Sequence, residues 1–201
     1  MRSVFAAIIL VTLSVQSAQA ATTVFASGVY SQSGAVSNLA NAFGAPDGGA
    51  ASIGGGFSFL GIPIGTAGQA VYSFANPLSG ANIQLTALGG AGAPPVRVSI
   101  GEIVSGVAVF STELAFTGGA AGLILLDLST QCALISSTGC SLLRIRTIGG
   151  FGGGAFLLDG VSGVGAAPEP AVWGLMLLGF GASAWRLKRA RGAAAGRPAI
   201  V

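Results

Sequence analysis

Two cysteines, six acidic residues, no histidine and two arginines at alternate positions are the main chemical resources of this 201-residue chain. Cys132 and Cys140 are its only thiols, with seven residues between them. In an oxidising compartment such a pair predicts one disulfide. The turn-like residues between them would make it a staple across a hairpin or loop, stabilising by about 2–3 kcal/mol. A metal site is the competing reading, and the lack of histidine and of further thiols argues against it; no metal ligand and no cofactor is assigned. Without histidine there is no His-based triad or general base. Six scattered carboxylates contain the raw material for a glycosidase pair, but no spacing singles one out, so no catalytic residue is assigned. Asp47 and Asp159 could coordinate a cation from loops. Pro-Asp-Gly turn chemistry for Asp47 and a strand-end hydrogen bond for Asp159 are the plainer expectation, because neither has a second carboxylate nearby in sequence. Arg144 and Arg146 share one strand face, suited to gripping acidic sugars or phosphate or to forming a solvated face paired with Asp159. The Gly-rich stretches GGAGAPP and GGFGGG lack the Lys-Ser/Thr of a phosphate loop.

The elements that must position these residues follow from composition. Apolar residues make up 52% of the chain and charged residues only 7%, against about 25% charged in ordinary soluble domains. The net charge of +3 comes from the ends: Arg2 lies at the start, and Arg186, Lys188, Arg189, Arg191 and Arg197 lie near the finish. Between residues 21 and 170 three arginines face six acids, a net of minus three. That balance gives no argument for nucleic-acid binding. Thirty-four glycines disfavour long helices and suit short strands joined by tight turns.

The first twenty residues, MRSVFAAIILVTLSVQSAQA, read as a signal peptide. Arg2 supplies the cationic start, an apolar stretch runs from Val4 to about Val15, and Ala18 and Ala20 give the small-x-small cleavage pattern. The apolar part is shorter than the ~20 residues of a stable bilayer span; an uncleaved anchor is the alternative. Maturation is expected to start the chain at Ala21.

Near the other end, Pro168-Glu169-Pro170 precedes fifteen uncharged residues, AVWGLMLLGFGASAW, and the cations Arg186, Lys188, Arg189 and Arg191 follow at once. As a helix the apolar run rises ~22 Å, short of a ~30 Å hydrocarbon core, and snorkelling flanks with local thinning cover the difference. Trp173 and Trp185 stand where interfacial aromatics belong, and the cations keep their side cytoplasmic. The two prolines hold the triplet extended, either for a membrane-embedded protease or as a linker before a permanent anchor.

The segment VGAAPEPAVWGLMLLGFGASAWRLKRAR (164–191) resembles the PEP-CTERM sorting domain of exported bacterial proteins, which shows the same three elements in the same order. The resemblance implies that an exosortase, an integral-membrane cysteine protease, handles the tail near Pro168–Pro170. It also implies signal peptidase and the general secretion machinery as partners, an inner-membrane-tethered precursor, and delivery to the cell surface or extracellular matrix.

Between the tags, period-2 alternation marks strands with one buried face: Ile83, Leu85 and Ala87; Val96, Val98 and Ile100; Leu143, Ile145 and Thr147. Further strands are expected over 22–30, 69–75, 107–116, 122–128 and 155–162, with a short helical turn around 36–42. Turn-forming groups such as Pro46-Asp47-Gly48-Gly49 separate them. Some eight strands predict an all-β, antiparallel, jelly-roll-like β-sandwich, flanked by an N-terminal signal helix and a C-terminal single transmembrane helix. ANAFGAPDGGAASIGGGFSFLG (41–61) and LLRIRTIGGFGGGAFLLDGVSGV (142–164) resemble the first and last parts of galactose-binding-like jelly rolls. The expected organisation is a signal peptide (1–20), a β-sandwich domain (21–163), a sorting and transmembrane segment (164–191) and a disordered tail (192–201). The expected function is that of an exported, exosortase-sorted surface protein with a non-catalytic body, with exopolysaccharide as a candidate partner. A carbohydrate-binding module and a small secreted hydrolase are the alternatives.

Overall fold

The computed structural model describes residues 22–60, 62–89, 94–117, 121–151, 154–166, 179–181 and 183. Ala18 and Ala20, the Pro168-Glu169-Pro170 triplet, and Arg186, Lys188, Arg189 and Arg191 lie outside them. The chain divides into two compact units, Met1–Ala167 and Pro168–Val201. In the second unit, residues 179–181 and 183 are helical, and the Ser183 hydroxyl donates to the Gly179 carbonyl at 2.8 Å. Among the described residues no helix is long and apolar enough to cross a membrane.

The first unit is a β-sandwich-like, all-antiparallel fold. In chain order its strands are β1 (Thr23–Gly34), β2 (Val36–Ser37), β3 (Ala51–Ile53), β4 (Gly55–Phe59), β5 (Ile62–Thr66), β6 (Gly68–Leu78), β7 (Ile83–Leu88), β8 (Pro95–Val104), β9 (Val107–Phe110), β10 (Leu114–Thr117), β11 (Ala121–Leu126), β12 (Cys140–Thr147), β13 (Gly150–Phe151) and β14 (Phe156–Val164). A 3₁₀ turn (Leu39–Ala42) follows β2, and one helical segment, α1 (Ser129–Ala133), precedes β12. One layer runs β11–β7–β14, with β3 and the start of β1 sharing the far edge of β14, and β2 beyond β3. The other runs β1–β6–β12–β8, with β9 and β10 end to end along the free edge of β8. A separate three-stranded sheet has the order β13–β5–β4.

Alternating side chains from both layers meet in one core. Ile83, Leu85, Ala87, Phe156, Leu158 and Ile53 come from the first layer, and Tyr72, Val96, Val98, Ile100, Leu143 and Ile145 from the second. The three alternating segments read from the sequence are therefore strands with the expected faces inward. Elsewhere the strand map is finer than expected. Residues 107–116 do not form one strand, because β9 ends at Phe110 and β10 begins at Leu114. The expected helical turn around 36–42 is a two-residue strand followed by the 3₁₀ turn.

The core holds one polar anomaly. Tyr72 is fully buried, edge-on to Phe43 at 6.3 Å between ring centroids, and its hydroxyl has no hydrogen-bond partner among the described residues. Burial pushes the phenol well above its usual range. Tyr72→Phe removes an unsatisfied buried hydroxyl and is expected to stabilise the fold by about 1 kcal/mol. Chemical denaturation checks this; a lower midpoint at unchanged slope contradicts it.

Candidate functional site

Three guanidinium groups converge on one carboxylate at the outer face of the second layer. Arg97 and Ser99 occupy outward positions of β8, and Arg144 and Arg146 occupy outward positions of β12. The register sets Arg146 opposite Arg97 and Arg144 opposite Ser99. Like charges directly opposite destabilise a sheet, so this pairing needs a counter-ion. Glu113 supplies it: Arg146 Nη2 reaches Oε2 at 2.8 Å, Arg97 Nη1 reaches the same oxygen at 3.2 Å, and Arg144 Nη2 reaches Oε1 at 3.3 Å. Arg144 is held further by its Nε donating to Ser99 Oγ at 3.0 Å and by stacking over Phe110, 4.4 Å from the ring centre.

Glu113 arrives there because of a bulge. Gly101 pairs with Phe110 on β9, whereas Val98 pairs with Leu114 on β10, one residue later than an unbroken register requires. The surplus residue falls within 111–113, where a bulge lets the strand re-aim a side chain. Ser111 ties the segment down: its N–H donates to the Ile100 carbonyl at 2.9 Å and its Oγ accepts from the Ile100 N–H at 3.2 Å.

Burial acts to raise the Glu113 carboxyl, but the Arg97 hydrogen bond and the charges of Arg146 and Arg144 outweigh it and hold the group below its ordinary value. Burial, helped by the neighbouring Arg146 charge and opposed by Glu113, lowers Arg144. With Glu113 ionised, the cluster carries a formal charge of +2. Arg97 and Arg146 also line an open groove of about 320 Å³ together with Ala67, Thr147 and Ile148. Their side chains are 42% and 40% exposed. The Thr147 hydroxyl at the groove accepts from the Gly68 N–H at 3.0 Å.

One of the two sequence readings paired Arg144 and Arg146 with Asp159; the structure gives them Glu113 instead. Asp159 is only 5% exposed, and its Oδ1 accepts from the backbone N–H groups of Asp47 (3.1 Å) and Gly48 (2.9 Å). It too sits on a bulge, since the β14–β7 register shifts between Leu158 and Gly160. The 46–48 loop lies close enough that a Cβ on Gly160 would come within 2.9 Å of Pro46 Cγ. Asp47 makes the expected turn contact, its Oδ1 accepting from Gly49 N–H at 2.9 Å. The two aspartates are thus brought together, with Asp159 acting as the clasp for the Pro46-Asp47-Gly48 turn.

The other described carboxylates have structural partners. Glu102 accepts from the backbone N–H (2.6 Å) and hydroxyl (2.9 Å) of Ser141, and Asp127 accepts from the Ser129 N–H at 3.0 Å. Among the described residues no group of three His, Cys, Asp or Glu side chains is placed to hold a metal ion. Cys132 and Cys140 form a disulfide, with Cα atoms 5.9 Å apart. The bridge ties α1 to the first residue of β12, where the sequence suggested a hairpin or loop staple. No protein-family model matches the chain, and no curated protein matches it.

Two outcomes follow. Asp159→Ala leaves two backbone donors of the 46–48 turn without their charged acceptor and is expected to cost about 3 kcal/mol; equilibrium unfolding measures it, and a loss within error of zero removes the clasp. Because Glu113 is held below its ordinary value, its contribution to stability is complete above the usual carboxylate range and is lost as pH falls through the lowered value. Glu113→Gln is therefore expected to flatten the acid limb of the stability–pH curve. An acid limb as steep as in the parent chain contradicts this.

Proposed function

We propose that this chain is an exported bacterial protein sorted by an exosortase to the cell surface or extracellular matrix. The carrying observation is the order of Pro168-Glu169-Pro170, fifteen uncharged residues and the Arg186–Arg191 cations. In this reading residues 171–185 form a single transmembrane helix with its basic end in the cytoplasm. The Cys132–Cys140 bridge agrees with passage through an oxidising compartment.

The body, 21–163, is read as a non-catalytic domain of the galactose-binding-like jelly-roll type. Support comes from the meeting of the two segments that resemble that family, since Asp159 of the last strand grips Asp47 and Gly48 of the early turn. The small-hydrolase reading is weaker, because each described carboxylate already accepts hydrogen bonds from protein donors.

Replacing Pro168-Glu169-Pro170 by three alanines is expected to leave the precursor in the membrane fraction. Intact mass of protein recovered from cells and medium reports both cleavages and the state of the thiols. Unchanged tail trimming in the triple variant, or untrimmed parent chain in a host that makes the protease, sinks the sorting assignment.

A further inference from the structure

We infer that the groove beside Arg97 and Arg146 is a binding site for a carboxylate-bearing sugar unit. The inference rests on the body alone and stands whether or not the tail is processed. Three observations converge on it.

The first is unbalanced charge. Three guanidiniums share one carboxylate, and Glu102, Asp47, Asp127 and Asp159 are engaged with Ser141, Gly49, Ser129 and the 46–48 turn. The second is unused donor capacity. A guanidinium offers five N–H donors. Among the described residues Arg97 uses only Nη1 and Arg146 only Nη2, both on Glu113. The third is access and shape. The two under-used arginines are those that line the groove, whereas Arg144 is spent on Ser99, Glu113 and the face of Phe110.

The lining suits such a ligand. A guanidinium edge matches a carboxylate in a bidentate fork. Ala67 and Ile148 add an apolar surface beside the charge, suited to the C–H face of a sugar ring. A volume of about 320 Å³ lies at the small end of ligand sites. It fits one charged ring of a polymer, or the same acid free in solution. The rigid sheet below helps, because Arg97 and Arg146 sit on paired strands and need no loop closure to converge.

The test titrates the full-length protein in a non-ionic detergent with polygalacturonate, free galacturonate, dextran sulfate and neutral dextran. Polygalacturonate is expected to bind, to weaken as salt is raised, and to be displaced by free galacturonate. Arg97→Gln and Arg146→Gln are each expected to lower affinity about tenfold, one charge-assisted hydrogen bond's worth. Arg146→Lys keeps the charge without the fork and should fall between parent and Arg146→Gln. Glu113→Gln removes the internal competitor and should tighten binding. Tighter binding to the polymer than to the monomer, per sugar unit, identifies a chain as the source; equal binding identifies the free acid. Equal affinity for neutral dextran, preference for dextran sulfate over polygalacturonate, or parent-like affinity in both glutamine variants overturns the inference. Salt dependence and galacturonate displacement of the parent chain decide the matter even if an arginine variant fails to fold.

Discussion

Strand β1 divides its hydrogen bonds between the two layers, and the sandwich depends on that division. Thr23–Phe25 pair with the end of β14, whereas Ala26–Gly34 pair with β6. A single strand can serve two facing sheets only by bending and twisting sharply. Two register shifts within β1, between Ala26 and Gly28 and between Val29 and Ser31, supply the bend. Once β1 is shared, Ala70, Tyr72 and Phe74 of β6 and Leu158 and Val161 of β14 belong to one apolar core. The chain has few charges to spend, so ladders and burial carry the fold. Its ionic groups are reserved for a few points.

Those points share a construction. Asp159 occupies the register shift of β14, and Glu113 sits in the interruption between β9 and β10. A regular strand would send each side chain to a face fixed by its parity. The surplus residue frees the carboxylate to reach across, to the 46–48 turn in one case and to three guanidiniums in the other. The disulfide works at the far end of the arginine-bearing strand, where Cys140 opens β12 and Ser141 is gripped by Glu102.

Legibility in the sequence followed the regularity of each element. Alternation was plain at 83–87, 96–100 and 143–147, where each strand has a wet and a dry face. The β4–β5 pair, GGFSF and IPIGT, alternates only over Phe57–Phe59 and Ile62–Ile64 among glycines and a proline, too short a run to declare a face. Arg144 and Arg146 could be placed on a common face from spacing alone. Their counter-ion could not, because Glu113 lies 31 residues from Arg144 and is presented by a bulge that leaves no composition signal. The same holds for the Asp159 clasp, formed across 112 residues. Turn chemistry at Asp47 was readable because Pro-Asp-Gly is a local rule; its docking partner is a property of the assembled sheet.

The placement of Glu113 on a residue that the β8 ladder does not require has an electrostatic corollary. Substitution there leaves the ladder pairs on either side in register but takes away the counter-ion of the facing Arg97 and Arg146, so the positive charge of the neighbouring cleft rises at some cost in stability. One residue outside the hydrophobic interior thus sets how strongly that cleft is charged.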